Sequence, residues 1–162
     1  MDFSKLYRTY ARDVHRFVLF LSGDPALADD IVSETFIRVW KARARVDLTT
    51  VKAYLLTIAR NLYLQHRRHA QRTAELDEQM ADSRPGPHQR ADARDELRAV
   101  MASLQHLPEV DRAALLMRTD GVMSYDDIAR ALGITVSAAK VKVHRARQKL
   151  AAARRPPMPH MK

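Results

Sequence analysis

Lys140, Lys142, Arg145, Arg147 and Lys149, with His144 among them, crowd one short stretch whose other residues are mostly small or apolar. Cations at this density neutralise phosphates, and Arg or Lys can also donate to the edge of a guanine. Whether they act together depends on the element that carries them. Val136, Ala139, Val143, Ala146 and Leu150 recur at steps of three and four, which is one apolar stripe of a helix. At 100° per residue, Ser137, Ala138, Val141, Arg145 and Gln148 fall opposite that stripe, with Lys140, Lys142, His144, Arg147 and Lys149 on its flanks. The outer face is therefore suited to a DNA major groove.

The preceding residues supply what such a helix needs to be held in place. Ser124 is a helix cap, with Asp127 three residues on as an acidic capping box, and Ile128, Ala129 and Leu132 form an apolar face. Gly133 tolerates the left-handed backbone that ends a helix, and Thr135 caps the next. The stretch from Ser124 to Leu150 thus predicts a helix-turn-helix. The competing reading is an amphipathic helix whose charged face is only solvated.

The 162 residues allow one medium domain or two small ones. Four glycines and long segments at helical period predict an all-α protein. No apolar run is long enough to span a bilayer, the first residues lack the apolar core of a secretory signal, and the expected location is cytoplasmic. There is no cysteine, so disulfides and cysteine-based zinc sites are excluded. The net charge of +9 points to a polyanionic partner. Residues 1–72 carry 13 Lys/Arg against 7 Asp/Glu, residues 73–95 carry 3 against 6, and residues 96–162 carry 12 against 6. Two basic blocks flank an acidic connector.

The first block begins with a helical stripe, Phe3, Leu6, Tyr7, Tyr10, Val14, Phe17, Val18 and Leu21. Asp24 and Pro25 then open a second helix through Ala28, Ile31, Val32, Phe36, Val39 and Trp40, leaving Asp29, Asp30, Ser33, Glu34 and Arg38 on its other face. In KARARVDLTT, from Lys41 to Thr50, the stripe lapses and a basic loop is expected. A third helix follows from about Thr50 through Tyr54, Leu55, Ile58 and Leu62, ending in the cluster His66, Arg67, Arg68 and His69. Residues 1–72 thus make one bundle of three or four helices. Residues 73–95, with SRPGP at their centre, read as a flexible linker whose acidic residues solubilise it or follow nucleic acid through a positive channel. A second bundle, residues 96–153, starts with Leu97, Val100, Met101 and Leu104. It continues from Pro108 through a short helix ended by Gly121, and contains the helix-turn-helix. The tail, 154–162, is expected to be disordered.

Four of these stretches together, ALADDIVSETFIRVWKA, AYLLTIARNLYLQHRRH, the Leu107 to Arg112 segment LPEVDR and the helix-turn-helix, resemble the extracytoplasmic-function sigma factors, the small two-domain group of the sigma-70 family. The resemblance spans nearly the whole chain in order. It implies that the first bundle is sigma domain 2, which binds core RNA polymerase and the promoter -10 element, and that the second is sigma domain 4, which binds the -35 element. It further implies promoter DNA and an anti-sigma factor as partners, no contact of this chain with membrane, no cofactor or metal, and no enzymatic activity.

Carried over by position, the resemblance places Asp30, Ser33, Glu34, Phe36, Arg38 and Trp40 in the segment that docks on the largest polymerase subunit. Phe36 and Trp40 are expected mostly in the core, and Asp30 and Glu34, four apart on one face, as contacts. Lys41, Arg43, Arg45, Tyr54, Arg60, Asn61 and His66 fall where the family meets the -10 element. The loop arginines would supply charge, and Asn61 is the main base reader, its amide offering both donor and acceptor. A buried Asn satisfied by a neighbour is the alternative. In the last helix Ser137, Ala138, Lys140, Val141, Lys142, His144, Arg145 and Arg147 take the -35 positions. Lys140, His144 and Arg145 would read bases, Lys142 and Arg147 would touch phosphates, and Val141 would meet a thymine methyl. The sequence departs from the family at Ser33, Gln65, Ser137, Ala138 and Val141.

Two rival readings make different demands. A helix-turn-helix regulator would dimerise on palindromic duplex DNA without polymerase. A metal-dependent hydrolase could use His66 and His69 at i, i+3, but no third ligand or His-Glu motif accompanies them.

Overall fold

The computed structural model describes residues 2–42, 51–76, 92–119 and 123–154, and the described residues form seven helices. These are α1 (Phe3–Ser22), α2 (Pro25–Lys41), α3 (Val51–Leu76), α4 (Asp92–Gln105), α5 (Glu109–Arg118), α6 (Tyr125–Leu132) and α7 (Val136–Arg154).

Local chemistry sets their ends. The Asp2 carboxylate accepts from the Ser4 N–H at the start of α1, and Gly23, at φ 70°, ends that helix by donating its N–H to the Leu19 carbonyl. Asp24 then accepts from the N–H groups of Ala26 and Leu27, with Pro25 in the first turn of α2, as its sequence predicts. The third helix runs past the expected stop at His69 to Leu76. No glycine or proline follows it before Pro85, and Gln, Arg, Ala and Glu are all good helix formers, so nothing breaks it. The helix stop expected at Gly121 lies outside the described residues, as do most of the linker and the tail; α5 ends at Arg118.

The helices α1, α2 and α3 pack as the expected first bundle, burying Leu6, Val14, Phe17, Val18, Leu21, Ile31, Val39, Leu55 and Leu62. The helices α4 to α7 form the second, around Leu104, Leu107, Met117, Met123, Ile128, Ala139, Val143 and Ala146. Only the linker was expected to hold the bundles together. Instead α1 packs on α4 and α5, α3 packs on α5 and α6, and the buried residues of both bundles join in one hydrophobic cluster. Bundles this small hide little of their apolar surface alone, so a shared face adds to both.

Candidate nucleic-acid and polymerase interface

The helix-turn-helix has the expected local structure. The Ser124 hydroxyl accepts from the Asp127 N–H at 3.1 Å, Gly133 sits at φ 67°, and the Thr135 hydroxyl accepts from the Ala138 N–H at 3.0 Å. On α7 the residues Ala139, Val143 and Ala146 are buried, with Val136 and Leu150 half-buried on the same stripe. Ser137, Lys140, Val141, His144, Arg145 and Arg147 are exposed, and Ala138 is half-buried. The face predicted to read DNA is therefore open to solvent.

Lys142 departs from its expected role. Its ammonium lies 3.2 Å from the carboxylate of Asp111, a buried residue of α5, so its charge is taken by the protein rather than offered to a phosphate. Tyr125 was not singled out in the sequence. The Arg118 guanidinium stacks 4.4 Å above its ring, and the Lys140 ammonium lies 5.7 Å from it, which tethers one base-reading candidate to α6. An aromatic at the first position of a helix carries no such signal in sequence.

On α2 the residues Asp30, Ser33 and Arg38 are exposed and Glu34 is half-buried. Glu34 lies 3.9 Å from Arg38 and 3.4 Å from His66 of α3, so one docking candidate also orients a -10 candidate. Phe36 is core, as expected. Trp40 is not: it is 48% exposed at the last turn of α2, with the Phe3 ring edge-on at 4.9 Å. Ile37, absent from the sequence-derived set, is 52% exposed among the polar candidates of the same face. Its spacing, four from Ser33 and seven from Asp30, already sets it off the apolar stripe of Ala28, Ile31, Val32, Phe36 and Val39, a signal that its residue type masked.

On α3 the residue Asn61 is exposed and Tyr54 half-buried, while Lys41 lies exposed at the end of α2. Arg43 and Arg45 lie outside the described residues. Arg60, expected to face a DNA strand beside Asn61, is buried instead. Its Nε donates to Glu109 Oε1 at 2.6 Å and its Nη2 to Oε2 at 2.9 Å, a two-pronged pair with the first residue of α5. Three residues on, Arg112 donates to the Leu107 carbonyl at 2.8 Å and to the Tyr63 hydroxyl at 3.2 Å. The IARN and LPEVDR segments, read separately in the sequence, thus meet each other.

Among the described residues no group of three His, Cys, Asp or Glu side chains is placed to hold a metal, and no helix is long and apolar enough to cross a membrane.

Comparison with known proteins gives one answer throughout. Residues 6–73 match Sigma-70 region 2 and residues 97–150 match Sigma-70, region 4. The chain is 36% identical over 144 residues to the ECF RNA polymerase sigma factor EcfG of Rhodopseudomonas palustris, covering 84% of this chain and 76% of that protein. It is 28% identical over 154 residues to the ECF RNA polymerase sigma factor SigM of Bacillus subtilis, covering 94% of each. Among solved structures, the sigma factor RpoE of Bartonella quintana, in complex with the anti-sigma factor NepR, superposes with a TM-score of 0.77 at 26% identity, over 94% of this chain and 96% of that one.

Proposed function

The chain belongs to the extracytoplasmic-function sigma factors of the sigma-70 family, and from that premise we propose how its residues direct transcription initiation. As an alternative sigma factor it brings core RNA polymerase to promoters, recognising the -10 and -35 elements. It acts by binding, without covalent chemistry, in the bacterial cytoplasm where polymerase works. Residues 1–72 serve as the region 2 domain and 96–153 as the region 4 domain.

The exposed outer face of α7 carries the reading most directly, because it sits in the matched region 4 and, among the described residues, no helix packs across it. Lys140, His144 and Arg145 read base edges at the -35 element, Val141 meets a thymine methyl, Ser137 and Ala138 shape the approach, and Arg147 holds a phosphate. Lys142 serves chiefly to neutralise Asp111.

At the -10 element Asn61 reads an unpaired base, with Tyr54 and His66 beside it on α3 and Lys41, Arg43 and Arg45 supplying charge to the extruded strand. Asp30, Ser33, Glu34, Arg38, Trp40 and the exposed Ile37 form the polymerase-docking face of α2. Phe36 supports it from beneath. An anti-sigma factor is the regulatory partner, as in the Bartonella quintana complex.

Run-off transcription with purified core polymerase and a randomised promoter library tests this reading. Promoter-specific transcripts sharing two spaced elements are expected. Core binding without any promoter-specific transcript would overturn it.

A further inference from the structure

The pair between Arg60 and Glu109 joins the two motifs whose work on DNA is expected to be separate. Arg60 adjoins Asn61 on α3, and Glu109 opens α5 in the other bundle. Both guanidinium donors that point at Glu109 are used, and the ion pair is largely shielded from solvent. A carboxylate and a phosphate present the same pair of acceptor oxygens to a guanidinium. We propose that Glu109 is an internal substitute for a promoter phosphate: it occupies Arg60 while the bundles are packed together and releases it to the -10 strand when they part.

The inference rests on the sigma-factor reading, and two further observations support it. First, the contact is built as an interface. Gln105, at the end of α4, donates to the Phe20 carbonyl of α1 at 3.0 Å, its side chain lies against Gly23, and Arg112 reaches Tyr63 across the same boundary. Second, the closed arrangement cannot span a promoter. Elements at -35 and -10 are about 25 base pairs apart, roughly 85 Å of duplex at 3.4 Å per step. A chain of this length packed as one body is about 40 Å across. Binding both elements therefore requires the bundles to separate, and separation takes Glu109 away from Arg60. Asn61 stays exposed in the closed chain, so the packed protein retains a base reader but lacks the adjacent cation.

The absence of native cysteine permits a clean test. Asp29→Cys on α2 and Gln148→Cys on α7, both exposed positions, carry a donor and an acceptor dye. The free chain is expected to show high energy transfer, and its complex with core polymerase and promoter low transfer. Glu109→Gln should lower transfer in the free chain. It should also tighten binding of the free chain to a labelled single-stranded oligonucleotide carrying the selected -10 sequence, by about tenfold if roughly a tenth of the wild type is open. Adding Arg60→Ala should remove that gain. Gln105→Ala loosens the boundary without touching the ion pair, so it should change both readouts in the same direction by less; circular dichroism checks that each variant stays helical. Lower transfer with unchanged oligonucleotide affinity in folded Glu109→Gln and Gln105→Ala would make the pair a structural tie only, and overturn the proposal. So would no change in either readout. A wild type unable to initiate at any promoter would instead overturn the sigma-factor reading.

Discussion

The two helices proposed to read DNA differ in how many neighbours they serve. α7 packs one stripe against its own bundle, on α5, α6 and α4, and leaves the opposite face to solvent. α3 packs on α1 and α2 within its bundle and on α5 and α6 across the boundary, so part of its polar surface is consumed by the protein. Residue type does not separate these uses. Arg60 and Lys142 have the same chemistry as the cations beside them, yet each is held by a carboxylate of α5. A cation on a predicted DNA face is available to DNA only where no acidic side chain from a packed neighbour reaches it first.

Arg112→Ala tests the boundary most severely. The change removes buried donors to the Leu107 carbonyl and the Tyr63 hydroxyl and leaves a void where the side chain lay. The expected loss is about 3 kcal/mol, from unsatisfied partners of a charged group together with lost packing. It should appear in urea unfolding as a lower midpoint, with probes in α2 and α7 shifting together. If the α7 probe shifted and the α2 probe did not, the two bundles would not form one cooperative unit.

On α7 itself, Arg145→Ala and Lys142→Ala should separate reading from holding. Arg145 is exposed, so its loss should relax preference at one or two -35 positions by about 1 to 3 kcal/mol, with no change in stability. Losing Lys142 leaves Asp111 buried without its cation, so that variant should unfold at lower urea, by about 1 kcal/mol given the partial exposure of the lysine. Its -35 preference should be unaltered. Binding selection on a -35 library, run beside the unfolding curves, distinguishes the two. A wild-type stability for Lys142→Ala would return Lys142 to the phosphate-contacting set.

Much of the fold follows from local rules that the sequence displays. Caps at Asp24, Ser124 and Thr135 and the stop at Gly133 need only neighbouring residues, and all appear where predicted. The stripe of α7 was legible for the same reason. What the sequence concealed was the second apolar side of the small bundles. Leu104 and Leu107 mark α4 and the segment before α5 as buried, but the same leucines would be buried by their own bundle or by another. Hence the shared core, the use of Arg60 and the exposure of Trp40 could not be read, because each depends on where another helix lies. The aromatic seat of Lys140 on Tyr125 is a milder case, lost because the two residues belong to different helices.

The smallest effect probes the open face where it is apolar. Val141 is 48% exposed and lies opposite the stripe of Ala139, Val143 and Ala146, so it contributes little to the core. Val141→Ala should leave the unfolding midpoint unchanged within error, since an exposed substitution away from caps and core costs under about 0.5 kcal/mol. If Val141 meets a thymine methyl, two lost methyl groups should weaken binding by about 1 kcal/mol at one position of the -35 element when it holds thymine, and not when it holds cytosine or uracil. Uracil is the decisive probe, because it lacks only the methyl group while keeping every hydrogen-bonding atom of thymine. Equal loss on thymine and uracil would mean that Val141 shapes the helix surface generally. The open face would then read its site through Lys140, His144 and Arg145 alone.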